Sequence, residues 1–341
     1  MKATIRDIAE RVGVSSTSVS LVLNQKECRI SEETRQKIFE TARELGYVRK
    51  KDRVKSRSRY GEHVIAVIYP CFRNELVKEC MQGIEDYAAL YGYQVFQLYC
   101  SDTTERCIGK IDLAVYLGAE GLIMIPPQDM NTGGNYVLLG EALEHTGIPY
   151  LLLDKAVYKV FCDFITVDNK LGATMAMEHL LDYGHRRIGI LAGKSGVYNT
   201  RKRVEGYKES LILSGLSYEE NLVYYGEYSQ ESGEKGTDYL VSQGVTAMVS
   251  CNGEMSLGVY EYARKNGKQI GEDISLVSFG NLREAKWMAP MLTSVIQPGE
   301  QMGRKAMEVI ISRIRHEEIG GIHTNYFTPI LWQGASVKRL C

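Results

Sequence analysis

The chain has 341 residues, which at roughly 150 residues per domain allows two or three packed units and rules out a single small module. With 44% hydrophobic and 24% charged residues it carries enough apolar surface to fold, so disorder is confined to short stretches. The net charge of −1 conceals an asymmetry: residues 1–60 hold fifteen Lys and Arg against eight Asp and Glu, the remainder 26 against 34, so a head of +7 precedes a body of −8. Such a pairing points to a polyanionic partner for the head, and charge alone leaves nucleic acid and anionic lipid equal.

No apolar run approaches the roughly 20 residues of a membrane helix, and the polar start has no apolar signal-peptide core behind it, so the expected location is the cytoplasm. The eight cysteines contain no C-x-x-C pair, so neither a zinc site nor a disulfide framework is expected, and the thiols read as reduced and mostly buried.

Residues 1–48 read as three short helices. Thr4 can cap the first, with Asp7 three residues on and Ile5, Ile8, Ala9 and Val12 at helical spacing, and Gly13 stops it. Ser15 leads into a second helix that buries Val19, Val22 and Leu23 and turns Ser16, Thr17, Ser20 and Leu21 outward. Ser31 caps a third, with core positions Ile38, Ala42 and Leu45 and a stop at Gly46. Two helices joined by a glycine turn and closed by a third form the unit that places its second helix in the DNA major groove. A plain three-helix bundle needs neither small outward side chains on one helix nor capped N-termini whose free N–H groups can meet phosphates.

The run Thr4-Ile5-Arg6-Asp7-Ile8-Ala9, Val12-Gly13-Val14-Ser15, Ser18-Val19-Ser20-Leu21-Val22-Leu23-Asn24, Thr34-Arg35 and Leu45-Gly46-Tyr47 resembles the lac-repressor family of bacterial transcription regulators. The resemblance implies that Ser16, Thr17 and Leu21 read bases and that Ser18 and Asn24 touch phosphate or support the helix. Leu21 departs from the family, which frequently has Arg there. A leucine offers apolar contact, for instance to a thymine methyl, where Arg would bind guanine with two hydrogen bonds.

Residues 49–60 form a basic linker. Relatives carry a hinge helix here whose leucine wedges into the minor groove. This chain has Arg49-Lys50 and Arg53-Val54 in place of the usual residues and Ser56 in place of the wedge. The segment reads either as a solvated linker or as a strap in which Lys50, Lys51 and Arg53 follow phosphates without kinking the duplex.

From residue 61 onward, β-rich runs at 64–69, 94–99, 121–125, 150–153, 188–191, 246–250 and 275–279 alternate with helical stretches, which implies parallel sheets wrapped by helices. The length exceeds one comfortable core, so two doubly wound lobes are expected. Lobe 1 is placed at about 61–161 and 291–321, lobe 2 at about 162–290 and 322–341. The lac-repressor resemblance continues through Gly83-Ile84-Glu85, Val167-Asp168-Asn169, Gly184-His185-Arg186-Arg187 and Leu292-Thr293-Ser294-Val295. It implies a periplasmic-binding-protein-like sensor, with chain crossings near 161, 290 and 322, and a ligand cleft contacted by Asn74, Leu76, Asp154, Lys155, Arg201, Asn252 and Asn281. Arg201 is singled out because its fixed fork of donors suits a hydroxyl pair or an anion. Gly253, Gly280 and Leu76 stand where relatives often have two acids and a stacking aromatic, so a typical hexose site is eroded.

Gly189-Ile190-Leu191-Ala192-Gly193-Lys194-Ser195 has three residues between its glycines where a phosphate loop needs four, and reads as an ordinary strand-to-helix turn. His179 and His185 do not share a helical face, so no metal pair is expected. The expectation is an all-α helix-turn-helix head on an α/β two-lobed sensor. It acts as a dimeric repressor of a pseudo-palindromic operator, with no catalytic activity, cofactor or metal, and is modulated by a sugar or an anionic metabolite. Control by a phosphocarrier protein, a ligand-free sensor and a solute-binding receptor are the alternatives.

Overall fold

The computed structural model describes residues 4–23, 30–44, 63–71, 74–317 and 320–340. Asn24, Lys50, Lys51, Arg53 and the linker at 49–60 lie outside them. Among the described residues no helix is long and apolar enough to cross a membrane.

The head contains α1 (Ile5–Val12), α2 (Ser16–Leu23) and α3 (Glu32–Glu44). Thr4 and Asp7 cap α1 reciprocally: the Thr4 amide donates to Asp7 at 2.7 Å and the Asp7 amide to Thr4 Oγ1 at 3.3 Å. Gly13 ends the helix in the left-handed region, at φ 77°, its N–H donating to the Ala9 carbonyl. The Ser18 amide donates to Ser15 Oγ at 3.0 Å and the Thr34 amide to Ser31 Oγ at 3.3 Å, so the second and third caps stand where hydroxyl chemistry places them. Ile8, Ala9, Val19, Val22, Leu23, Ile38 and Ala42 form the core.

The body starts at His63. Its first sheet is built from β1 (Val64–Tyr69), β2 (Gln94–Tyr99), β3 (Gly121–Met124), β4 (Tyr150–Leu153), β5 (Asp163–Val167) and β11 (Thr324–Phe327), in the order β11-β5-β4-β3-β1-β2 and parallel throughout. The second comprises β6 (Ile188–Leu191), β7 (Val223–Tyr224), β8 (Ala247–Ser250), β9 (Ser275–Phe279), β10 (Thr293–Ile296) and β12 (Ile330–Trp332), in the order β12-β10-β9-β8-β6-β7, with only β12 antiparallel. The central strands are buried along their whole length, as strands covered by helices on both faces must be.

Sheet membership moves the lobe boundaries. β5 and β11, assigned to lobe 2 from the sequence, pair in the first sheet, and β10, assigned to lobe 1, pairs with β9 in the second. The three crossings therefore follow Val167, Ile296 and Phe327, each six or seven residues later than expected. A run of β-branched residues announces a strand and is silent on which sheet receives it. Cys100 and Cys107 lie side by side, with Cα atoms 4.9 Å apart, a juxtaposition the sequence spacing does not announce. Cys80 and Cys251 are free and buried.

Candidate functional site

In the head, Ser15, Ser16 and Thr17 are exposed and Ser18, Ser20 and Leu21 half-buried, opposite the buried face of Val19, Val22 and Leu23. Short hydroxyl side chains at the start of α2 leave its first turn open to approach by another molecule, and the free amides there suit phosphate. Leu21 is the only large aliphatic on this side of α2.

In the body, the carboxyl ends of the central strands of both sheets meet around a cavity of about 470 Å³. Both sheets reverse strand order beside their first strand, between β1 and β3 and between β6 and β8. Such switch points splay the following loops apart and leave a crevice for a ligand. The first lobe lines the cavity from the loops after β1, β3 and β4 and the start of α4 (Glu75–Tyr91); the second lines it from the loops after β6, β8, β9 and β10.

Six of the seven sequence-predicted ligand contacts line this cavity: Asn74, Leu76, Asp154, Lys155, Asn252 and Asn281. Asn74 and Asn252 cap helices, accepting from the amides of Leu76 at 3.0 Å and Met255 at 2.8 Å, which leaves their Nδ2 groups to face elsewhere. Asp154 is 4% exposed, adopts φ 72° and accepts from Asn199 Nδ2 at 2.9 Å. Lys155 Nζ donates to the Pro126 carbonyl at 3.0 Å. Asn281 is occupied by neighbours: Gln297 N donates to its Oδ1 at 2.7 Å, and its Nδ2 donates to the Gln297 carbonyl at 2.6 Å and to Glu79.

Arg201 is a correction. It is exposed and is not among the lining residues; Arg203, two positions on, is buried in the wall of the cavity. Arg203 Nε donates to Asn169 Oδ1 at 2.8 Å and Nη1 to the Cys251 carbonyl, while the guanidinium lies 3.7 Å from the Phe279 ring centroid. Helical phase explains the difference. Arg203, Gly206, Tyr207 and Ser210 are buried at i, i+3, i+4 and i+7 of α8 (Tyr198–Leu213), and Arg201 points off that stripe.

Sequence reasoning also missed Asp102, Gln128, Asn199, Tyr228 and Gln297 on the wall. Asp102 Oδ2 accepts from Gln128 Nε2 at 2.8 Å, which fixes the amide so that Gln128 Oε1 is left buried and unpaired. Asn199 Oδ1 and Gln297 Oε1 are likewise buried without a partner. Burial pushes the Tyr228 hydroxyl up to about 12, so it stays protonated beside Thr200, with which it shares a hydrogen bond. Unpaired buried acceptors are costly, and three of them belong to residues of this wall.

Residues 4–50 match the model of bacterial regulatory proteins, lacI family, and residues 177–337 match that of a periplasmic binding protein-like domain. One chain thus joins a lacI-family helix-turn-helix domain to a periplasmic-binding-protein-like domain. It is 26% identical over 321 residues to the HTH-type transcriptional repressor CytR of Escherichia coli K12, covering 93% of this chain and 92% of the relative. It is 28% identical over 322 residues to catabolite control protein A of Priestia megaterium, covering 94% and 95%. The solved lac repressor dimer bound to operator and the anti-inducer ONPF superposes with a TM-score of 0.71 at 23% identity, over 99% of this chain and all of that one. The glycine-rich turn follows strand β6, and its Lys194 pairs with Glu227 at 3.4 Å.

Proposed function

We propose that this chain is a transcriptional regulator, acting as a homodimeric repressor, whose operator affinity is set by a small molecule bound between the two lobes of the body. The observation that carries the reading is the union in one chain of a helix-turn-helix head, with an exposed hydroxyl face on α2, and an inter-lobe cleft lined by polar side chains from both lobes. Heads presented by a dimer meet the two half-sites of a pseudo-palindrome. Thr4, Ser15, Ser16, Thr17, Ser18, Ser20, Leu21, Asn24 and Ser31 form the proposed duplex-facing set. Lys50, Lys51 and Arg53 add phosphate contacts, each neutralised phosphate contributing about −0.9 to the log–log salt slope.

The cleft favours a neutral or cationic effector over an anion. Glu75, Asp102, Asp154, Glu231 and Glu254 line it against Lys155 and Arg203. Lys78 and Lys235 neutralise Glu75 and Glu231 from outside, but Asp154 and Glu254 have no ion-pair partner within 4 Å among the described residues. Arg203, the strongest candidate for an anion, spends two of its nitrogens on the protein. A molecule bearing several hydroxyl or amine donors matches the wall.

Random-site selection with the full chain at moderate salt defines the operator, and a thermal-shift screen with sugars, sugar phosphates, nucleosides and amino acids finds the effector class. Absence of preference for any duplex refutes the regulatory reading. Stabilisation by phosphorylated compounds alone refutes the assignment of effector charge.

A further inference from the structure

Glu79 stands one turn beyond the cleft-lining start of α4, half-buried, and its carboxylate accepts a hydrogen bond from Asn281 Nδ2. These two residues belong to different lobes. α4 packs on the first sheet and on α11 (Gly299–Ile314), whereas Asn281 follows β9 of the second sheet. Asn281 is joined to Gln297 by two further hydrogen bonds, at 2.6 and 2.7 Å, and Gln297 follows β10 at the second crossing between lobes. The Asn281–Gln297 pair therefore travels with the second lobe, and Glu79 with the first. Rotation about the crossing separates Glu79 from Asn281 before it disturbs either partner's own lobe.

The site is shaped for this contact. A Cβ at Gly299 would lie 2.7 Å from both the Cβ and the Oε2 of Glu79, so only glycine at the first position of α11 lets the carboxylate reach Asn281. The contact also touches the cleft: Asn281 and Gln297 line it, as do Glu75 and Leu76 on the turn before Glu79, and Gln297 Oε1 is one of the unpaired acceptors. A molecule that donates to Gln297 pulls on the same pair that Glu79 holds.

We propose that Glu79 is a positioning residue that pins the two lobes in the arrangement seen here through Asn281, and so sets the balance between lobe arrangements that operator affinity reads. The inference rests on the regulatory reading above for its readout and on the inter-lobe geometry alone for its structure. A ligand or substitution shifts such a balance only by what it contributes differently to the two arrangements. Loss of one hydrogen bond to a charged group corresponds to a shift of about tenfold or more.

The test is a double-mutant cycle in the full chain with Glu79→Ala, Asn281→Ala and the pair, plus Glu79→Gln, measured as affinity for the duplex enriched by the parent protein and as inter-lobe distance from a dye pair, one dye on each lobe. The expected result is that each alanine variant changes operator affinity by about tenfold and alters the distance. The double variant goes no further than Asn281→Ala alone, which also loses the two Gln297 contacts, and Glu79→Gln, whose amide oxygen still accepts, keeps the parent values. Additive single effects, affinities within twofold of the parent, or a lowered melting point with unchanged affinity and distance would each overturn the proposal. Should the parent prefer no duplex, the regulatory reading fails, while the distance arm still decides on the pin: an unchanged distance in both alanine variants overturns it, and a common change supports it.

Discussion

Arg203→Ala and Arg201→Ala, two positions apart, separate the structural assignment of the cleft arginine from the one suggested by the sequence. Removing the Arg203 side chain leaves Asn169 Oδ1 and the Cys251 carbonyl without the donors they have in the folded protein, inside a region where Asn169 is 2% exposed and Cys251 fully buried. Each buried acceptor left unpaired costs about 1–3 kcal/mol. The stacking on Phe279 at 3.7 Å adds about 0.5–2 kcal/mol. The void opens onto the cleft, where water enters and meets part of the need, so the net expectation for Arg203→Ala is about 2–4 kcal/mol of destabilisation. In a body of this size that corresponds to a melting point lower by roughly 5–15 °C. Arg201 is exposed, and its alanine variant should stay within about 0.5 kcal/mol. Urea and thermal denaturation of the two variants beside the parent, without ligand, are the assay. Equal stability of the two, or a larger loss for Arg201→Ala, would refute the account of α8's buried stripe.

Three further outcomes follow from the head and the body's edge. Asp7 is held below its ordinary carboxylate value by the backbone amide and hydroxyl of Thr4, so the cap's contribution is complete above about 3.8, the unperturbed value, and fades as pH falls through the lower folded value; an NMR titration of the full chain should show Asp7 moving only part of the way towards the ordinary range in Thr4→Val, which removes the hydroxyl and leaves the backbone amide donating. Leu21→Arg adds a side chain able to bind guanine with two hydrogen bonds, worth about 1–3 kcal/mol of discrimination, and should enrich a guanine in random-site selection at a position where the parent is indifferent. His185 is 1% exposed, its Nε2–H donating to the Lys338 carbonyl at 3.1 Å, and burial holds it neutral below the usual imidazole value of 6.5; stability should fall as pH drops from about 6.5 through the folded value, and the urea midpoint of His185→Asn should lose that part of the acid sensitivity.

The elements were legible where a local signal determines them. Hydroxyl caps, a left-handed glycine and helical periodicity fix the head's three helices, and runs such as 64–69 can only be strands covered on both faces. What escaped is non-local. Thr324–Phe327 shows the half-buried pattern of an edge strand, yet its partner β5 lies some 160 positions away, and nothing between them says which sheet it joins. Cys100 and Cys107 are seven apart without a motif, and become neighbours only because a strand end and the following helix fold back on each other. Arg203 was recoverable: counting i, i+3, i+4 and i+7 backwards from Ser210 selects it over Arg201.

Backbone geometry and packing favour glycine at both 280 and 253. Gly280 has φ 121°, a conformation closed to a residue with a side chain, so an acid there would demand a different turn after β9. Leu282 packs against Gly253 and fills the space an acid at 253 would enter, its Cβ lying 3.0 Å from where a Cβ would stand. The polar role on that side passes to Asn281, whose hydrogen-bonding groups are held by Gln297 and Glu79. The unspent groups instead concentrate around Asp154, Asn199 and Gln128, at the strand ends of the first lobe and the start of α8. An effector that engages Asp154 competes with Asn199 for the same carboxylate, and that hydrogen bond too joins the two lobes. Under the proposed function, recognition and lobe arrangement share atoms on that side of the cleft, and a ligand there would act on the lobes through the bond it replaces.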